Sequence, residues 1–378
     1  MINVTIIQRI LPHYRVIFFK MLHDALLDSG VAMSLIYGQE QSGTVPETVK
    51  VDYEWATYKP NRYFNILNTE LIYQNIPKSV SSSDLVIIEQ ASRLLYNYRL
   101  LVARHFKGTK VAYWGHGMNF QSHGTGQLKE AIKKAMLTRV DWWFAYTKLS
   151  ADIVKARGFA ENKISILNNA IDNQSFIAAL DRVTAQDITE LHGSLDIKGK
   201  CLCLYCGGLY AEKKIEFLIQ SSARIRKDNP EFELIVIGSG PYQEFVESAS
   251  DKYEWLHYVG PLYGDDRARY FKAAKLLLMP GLIGLAILDS FISKTPIVTT
   301  IIPGIPIHSP EFSYLDHGRN GLICSLDEFE YAKTVNDCLR NQALYDKLIG
   351  GCEESASEYT MDKMVQNFKQ GIIDCLNI

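Results

Sequence analysis

Two glycine-punctuated segments in the second half of this chain carry residues suited to holding a phosphate. In Leu276–Phe291, LLLMPGLIGLAILDSF, a strand runs into Pro280 and Gly281, and a small-residue turn at Gly284 opens a helix. The first amides of a helix have no partner within it and sit at the positive end of its dipole. The N–H groups of Gly284, Leu285, Ala286 and Ile287 can therefore grip a phosphate or sugar oxygen, the charge–dipole part contributing about 0.3–1 kcal/mol. Asp289, early in the same helix, can accept from a ligand hydroxyl; a buried helix whose acid only complements its dipole would read the same way. In Tyr205–Ile219, YCGGLYAEKKIEFLI, the Gly207-Gly208 pair allows a tight turn directly after a strand, and Lys213 and Lys214 fall near the next helix start. A lysine there is either a point charge able to neutralise a leaving diphosphate or an ordinary solvated cation.

The first half offers a different set. Val111–Phe120 places His116 between two glycines just after a strand, where an imidazole can bond a sugar hydroxyl and change charge near neutral pH, or be a turn histidine bonded to backbone. Leu11–Phe19 follows the first strand without a glycine-rich loop, so backbone cradling of a phosphate is not expected from this side. Tyr14 and Arg15 are candidates to meet an acceptor or its phosphate, and Phe18 and Phe19 to be helix core. Arg99, Arg104, His105, Lys107 and Lys110 form one basic run. In 127–140, Lys129, Lys133, Lys134 and Arg139 flank an apolar stripe of Leu128, Ile132, Ala135 and Met136, a pattern that suits either anionic lipid or packing on the chain's own sheet.

Several chemistries have no footing in the sequence. It holds no Asp-x-Asp pair, no HExxH, no P-loop and no GxSxG, so a metal-independent reaction is expected, with no cofactor. Gly238-Ser-Gly240 begins like a dinucleotide fingerprint, but Gln243 holds the third glycine position. The odd count of seven cysteines is no disulfide framework. Cys201, Cys203, Cys206 and Cys324 lie in apolar surroundings, and the alternation of Cys201, Cys203 and Tyr205 favours a strand over a redox or zinc role for Cys203 and Cys206.

These residues need elements to position them. The 378 residues suffice for two domains, and 47% hydrophobic with 22% charged residues is ordinary globular usage. The net charge of −2 gives no case for nucleic acid, but it is unevenly divided. Residues 1–170 hold 20 Lys and Arg against 13 Asp and Glu, and residues 171–378 hold 20 against 29. A basic first half suits a surface facing phosphates or an anionic membrane. Short β-branched runs alternate with helical-period segments throughout, predicting two doubly wound parallel sheets. The strands expected are Val4–Ile7, Ala32–Tyr37, Asp84–Ile88, Lys110–Trp114 and Asp141–Tyr146, then Cys201–Cys206, Phe232–Ile237, Leu256–Val259, Lys275–Met279 and Ile297–Thr300. Helices are expected over Val16–Leu27, Lys148–Arg157 and Met361–Leu376, and 171–200 reads as a polar, irregular hand-over. The N-terminus lacks the apolar run of a signal peptide, and the longest apolar stretch, Leu276–Leu288, is too short and broken to span a bilayer. A cytoplasmic protein in a reducing compartment, able to lie at the inner face of the cell membrane, is the expectation.

The two phosphate-holding segments, in this order with Val236–Pro241 between them, resemble glycosyltransferase family 4, the group 1 glycosyltransferases of the GT-B fold. Further matches are Leu167-Asn-Asn-Ala-Ile-Asp172 with Phe176, Tyr258-Val-Gly260 with Ala273-Ala274, and Arg319-Asn-Gly-Leu322. The resemblance implies a GT-B pair of Rossmann-like domains facing a cleft. Residues 1–170 would bind the acceptor and 171–378 the nucleotide sugar, with the last helix, about 357–378, a candidate to pack back on the first domain. It implies a retaining transfer of a hexose-type unit from a nucleoside-diphosphate sugar to a glycan or lipid-linked acceptor, in bacterial surface polysaccharide assembly. By the same resemblance Lys213 and His116 take catalytic roles. Gly207, Gly208, Lys213, Gly238, Leu262, Gly284, Leu285, Ala286, Ile287 and Asp289 line the donor. Two positions depart from the family pattern: Gly208 stands where an arginine is usual, and Gly281 where the first acid of Glu-x7-Glu is usual. Two rivals stand beside this reading: a GT-B-fold sugar-nucleotide epimerase, and a non-catalytic sugar-nucleotide-binding subunit, which the two departures favour.

Overall fold

The structure, a computed structural model, describes residues 1–41, 48–66, 69–117, 137–302 and 309–377. It divides into two compact units, Met1–Asp172 with Thr360–Ile378, and Asn173–Tyr359.

The first unit is built on seven parallel strands. They are β1 (Ile2–Gln8), β2 (Val31–Tyr37), β3 (Ala56–Tyr58), β6 (Leu85–Glu89), β7 (Lys110–Gly115), β8 (Trp142–Ala145) and β9 (Ile164–Ile166), in the order β3-β2-β1-β6-β7-β8-β9. The sequence between β3 and β6 contributes an antiparallel hairpin, β4 (Asn61–Ile66) and β5 (Thr69–Gln74). The second unit is a six-stranded parallel sheet of β10 (Cys201–Cys206), β11 (Phe232–Ile237), β12 (Leu256–Gly260), β13 (Leu276–Leu278), β14 (Ile297–Ile301) and β15 (Gly321–Ser325). Its order is β12-β11-β10-β13-β14-β15. Each sheet reverses direction once, between β1 and β6 and between β10 and β13. In open α/β sheets ligands bind outside the carboxyl ends of the strands at such a point.

Strands buried on both faces read as continuous apolar runs, which is why they were legible. Ile87 and Ile88 of β6, and Leu234, Ile235 and Val236 of β11, are fully enclosed. The helix Met361–Leu376 belongs to the first unit. Thr360 caps it by accepting from the Lys363 amide, and Asn377 ends it in a left-handed conformation. Its Phe368 ring stacks on Phe144 at 4.5 Å between centroids and meets Trp114 edge-on at 5.0 Å and Phe18 at 5.6 Å. A Cβ at Gly371 would collide with the Phe144 ring and the Ser165 side chain, so glycine is what lets this helix lie close to the sheet. Phe18 and Phe19 are core, on the helix His13–Leu27.

One local expectation changes. Residues 171–200 are not irregular: they form the helices Gln174–Arg182 and Ala185–Ser194, the second opened by a Thr184–Asp187 capping box. Only Phe176, Ala179 and Leu180 of the first are buried, a stripe too thin to stand out in a polar stretch. The short strand β15 and the hairpin were not foreseen. The turn at Gly284 opens a helix as expected, beginning at Ala286.

Removing the Phe368 ring empties the meeting point of three aromatic partners. Phe368→Ala should therefore lower stability by about 3–5 kcal/mol, visible as an earlier urea midpoint.

Candidate functional site

In the second unit the loops leaving β10 and β13 meet at the reversal of strand order. The Leu282 amide donates to the Glu212 carbonyl at 3.0 Å, and the Lys213 ammonium donates to the Leu282 carbonyl. Thr300 anchors the approach by donating from Oγ1 to the Pro280 carbonyl at 2.6 Å. Lys213 is only 7% exposed. Burial lowers its ammonium from the ordinary lysine range to about 8, against the opposing pull of the nearby Glu311 carboxylate.

Glycines bring the loops of β10 and β11 equally close. A Cβ at Gly238 would overlap the Gly207 carbonyl, and one at Gly240 the Leu209 carbonyl. The Leu209 amide donates to the Ser239 carbonyl at 2.8 Å, and the Tyr205 and Tyr258 hydroxyls donate to the Gly208 and Gly238 carbonyls. The Gly238-Ser-Gly240 pair thus serves contact between turns. Leu262 follows the end of β12 and is half-buried.

Four amides around Gly284 were expected to face a phosphate, and the structure divides them. Gly284, at φ +59°, donates its N–H to Ser309 Oγ at 3.1 Å, and the Ile287 amide turns back to the Gly284 carbonyl. The Leu285 and Ala286 N–H groups donate to no acceptor among the described residues, which leaves these two as anion donors.

Asp289 is 4% exposed, with Oδ2 accepting from Arg267 Nη1 at 2.7 Å and Oδ1 buried without a partner. Burial raises its carboxyl above the usual range, and the Arg267 guanidinium restrains that rise. Arg267 also meets the Cys206 thiol, which burial holds up at about 11, and lies 4.9 Å from the Phe176 ring centre. Sequence reading missed Arg267 because its partners Asp289, Cys206 and Phe176 come from three separate elements. The Phe176 of the linker motif was the one available hint.

The two departures now have surroundings. At Gly281 a Cβ would run into the backbone of Glu212 and Lys213, so the join that seats Lys213 excludes any side chain there. At Gly208 a Cβ would meet the Tyr210 ring, a side chain that can move.

In the first unit His116 and Arg15 come together. His116 stacks on Tyr146 at 4.2 Å, and burial with the Arg15 cation lowers its imidazole to about 4. A charge change near neutral pH is therefore corrected: this ring stays neutral there. Arg15 is buried with its guanidinium near the rings of Tyr14, Phe18, Trp114 and Tyr146, and it donates to the neutral Asn169 Oδ1 and Met364 Sδ. Tyr14 is half-buried beside it. Of the basic residues, Arg104 is paired with Asp141 at 2.9 Å, and Lys129, Lys133 and Lys134 with their apolar stripe lie outside the described residues.

Two Rossmann-like units of this strand order, each with its polar loops beyond the carboxyl ends of its strands, define the GT-B class of fold. Anabaena HepE, solved in complex with UDP, has the same fold at a TM-score of 0.68, covering 98% of this chain and 99% of that one at 13% identity. Residues 200–341 match the family glycosyl transferases group 1, bearing out the resemblance at the group 1 level. Among curated relatives, a sulfoquinovosyl transferase of Arabidopsis thaliana is 24% identical over 213 residues, 56% of this chain and 39% of the relative. An α-monoglucosyldiacylglycerol synthase of Streptococcus pneumoniae is 22% identical over 220 residues, 55% of this chain and 50% of the relative. The chain thus matches half or less of the length of these two relatives.

Two substitutions test this geometry. Arg267→Met leaves Asp289 buried without its counter-charge and should destabilise the protein by about 3 kcal/mol at neutral pH. Because the variant's Asp289 carboxyl would be raised further, the deficit should shrink as pH falls and the acid protonates, which urea titrations at several pH values would show. Gly281→Ala should displace the Lys213 loop and lower the melting temperature, whereas an unchanged melt would mean that the two loops can separate at little cost.

Proposed function

We propose that this chain transfers a sugar from a nucleoside-diphosphate sugar to a hydroxyl of a glycan or lipid-linked glycan, with retention and without a metal ion. Bacterial surface polysaccharide assembly, at the inner face of the cell membrane, is the setting this reading expects. The observation that carries it is that the buried Lys213 ammonium, bonded to the Leu282 carbonyl, and the Leu285 and Ala286 amides, which donate to no acceptor among the described residues, belong to the loops after β10 and β13, where the strand order of the second unit reverses. One buried ammonium and two amides suit the developing charge of a departing diphosphate, which they stabilise more strongly as it forms than in the bound donor. The neighbour solved with UDP makes uridine diphosphate the first nucleotide to try.

In this scheme the bond from the sugar's anomeric carbon to the diphosphate oxygen breaks with its electron pair leaving on phosphate. The acceptor oxygen forms the new bond on the same face, and its proton passes to the leaving phosphate. Asp289 Oδ1 accepts from a ribose hydroxyl, and neutral His116 bonds a sugar hydroxyl. Tyr14 and Arg15 contact the acceptor, the buried guanidinium suiting a phosphate on it.

Lys213→Ala should lower kcat/KM about a hundredfold, a loss far larger than the modest drop in melting temperature expected when the Leu282 carbonyl loses its buried partner. UDP affinity of the wild type, read by calorimetry, should fall as pH rises through about 8, because the ammonium then loses its proton. A pH-independent affinity together with unchanged kinetics in the variant would remove Lys213 from the site. NMR of the donor incubated alone separates the rivals: an isomeric sugar nucleotide marks an epimerase. Binding without product under any acceptor marks a non-catalytic subunit.

A further inference from the structure

We propose that the outer face of the β4–β5 hairpin is the surface by which this chain lies on an anionic lipid bilayer. The inference rests on the membrane-contact part of the proposed function and on none of the transfer chemistry.

The pairing register separates the hairpin's two faces. Asn61, Tyr63 and Asn65 stand opposite Gln74, Ile72 and Glu70, while Arg62, Phe64 and Ile66 stand opposite Tyr73, Leu71 and Thr69. The first set faces inward: Ile72 is fully enclosed in the core, with Tyr63 packed against it, and Asn61 and Gln74 are buried. An antiparallel pair with one face on the core normally turns polar groups to water. This one does the opposite. Phe64 is 46% exposed, Ile66 54% and Tyr73 40%, with half-buried Leu71 between them and exposed Arg62 beside Tyr73. An aromatic and aliphatic face edged by a cation is the composition of an interfacial anchor, whose rings and chains enter the headgroup region while the cation meets phosphate.

Charge selects lipid over a protein partner of unknown sign. Residues 59–110, which hold the hairpin and the helix Leu95–Lys107 packed on β5, contain eight Lys and Arg against three Asp and Glu. All three acids are engaged, Glu70 by Arg93 at 2.9 Å, Asp84 by the Asn3 amide and Glu89 by the Arg9 amide; of the cations, Arg93 and Arg104 are taken up by Glu70 and Asp141 and Lys110 bonds the Cys375 carbonyl, which leaves exposed Arg62, Lys78 and Arg99 to set the sign. The helix adds exposed Tyr98 and Val102, one turn apart. A surface of this sign is drawn to anionic headgroups and weakly to neutral ones.

The test is co-sedimentation of the full chain with phosphatidylglycerol–phosphatidylcholine vesicles and with phosphatidylcholine alone. The wild type should bind the anionic vesicles. Phe64→Ser combined with Ile66→Ser should weaken that binding about tenfold or more, and Arg62→Glu should reduce it further, with UDP binding unchanged because the hairpin lies in the other unit. Three results would overturn the proposal. The wild type could ignore the vesicles; binding could persist in the hairpin variants and vanish only with Lys129→Glu, Lys133→Glu and Lys134→Glu; or light scattering could show a dimer that the hairpin variants convert to monomer. If the double variant unfolds, Phe64→Cys carrying an environment-sensitive dye replaces it: a blue shift on vesicles supports the assignment, and an unshifted spectrum refutes it. Loss of UDP binding with hairpin-dependent sedimentation intact would count against the transferase reading alone.

Discussion

Two hydrogen bonds between the loops after β10 and β13 set the terms for the second unit. One ties the Leu282 amide to Glu212, and the other ties the Lys213 ammonium to Leu282. A lysine side chain has many rotamers, and burial of its charge is unfavourable unless the charge is bonded. The Leu282 carbonyl supplies that bond and so fixes the ammonium at the reversal of strand order. The same approach forbids a side chain at Gly281, so the position that would otherwise carry an acid is given over to seating the lysine. At this departure from the family pattern, the approach of the two loops leaves room for glycine alone.

Low-dielectric surroundings govern the remaining ionisable groups. Asp289 and Arg267 form a buried pair in which the guanidinium offsets part of the carboxylate's desolvation, while the buried Oδ1 keeps its acceptor capacity unused. A buried carboxylate with no counter-charge would take up a proton and lose its use as a hydroxyl acceptor. Arg267 also contributes positive charge beside Cys206 at the end of β10, two residues before Gly208, where the family pattern places an arginine. In the first unit the balance falls the other way. His116 lies beside a cation and is held neutral, so its chemistry is that of a hydrogen-bonding ring rather than a proton carrier near pH 7.

Much of the fold was legible because its signals are local. Runs such as CLCLYC and FELIVI are enclosed on both sides, so their apolar continuity marks strands with the bounds observed, Cys201–Cys206 and Phe232–Ile237. The Met361–Leu376 helix declared itself through Met364, Phe368 and Ile372, four residues apart. Hairpin β4–β5 hid because its apolar residues point both ways, which removes the alternation that marks a half-buried strand. The two helices within 171–200 hid because the first buries only Phe176, Ala179 and Leu180 and the second only Leu191.

The chain by itself determined the parallel α/β architecture, the group 1 resemblance, and the candidacy of Lys213, Gly284 and Asp289, all of which follow from residue type and short-range spacing. Tertiary structure alone decided which Gly284-region amides stay open, that Asp289 is paired with Arg267, and that Gly281 must lack a side chain. Hydrogen-bond partners and burial depend on groups distant along the chain, such as Arg267 and Asp289 or Glu212 and Leu282, and no local pattern encodes whether such groups meet.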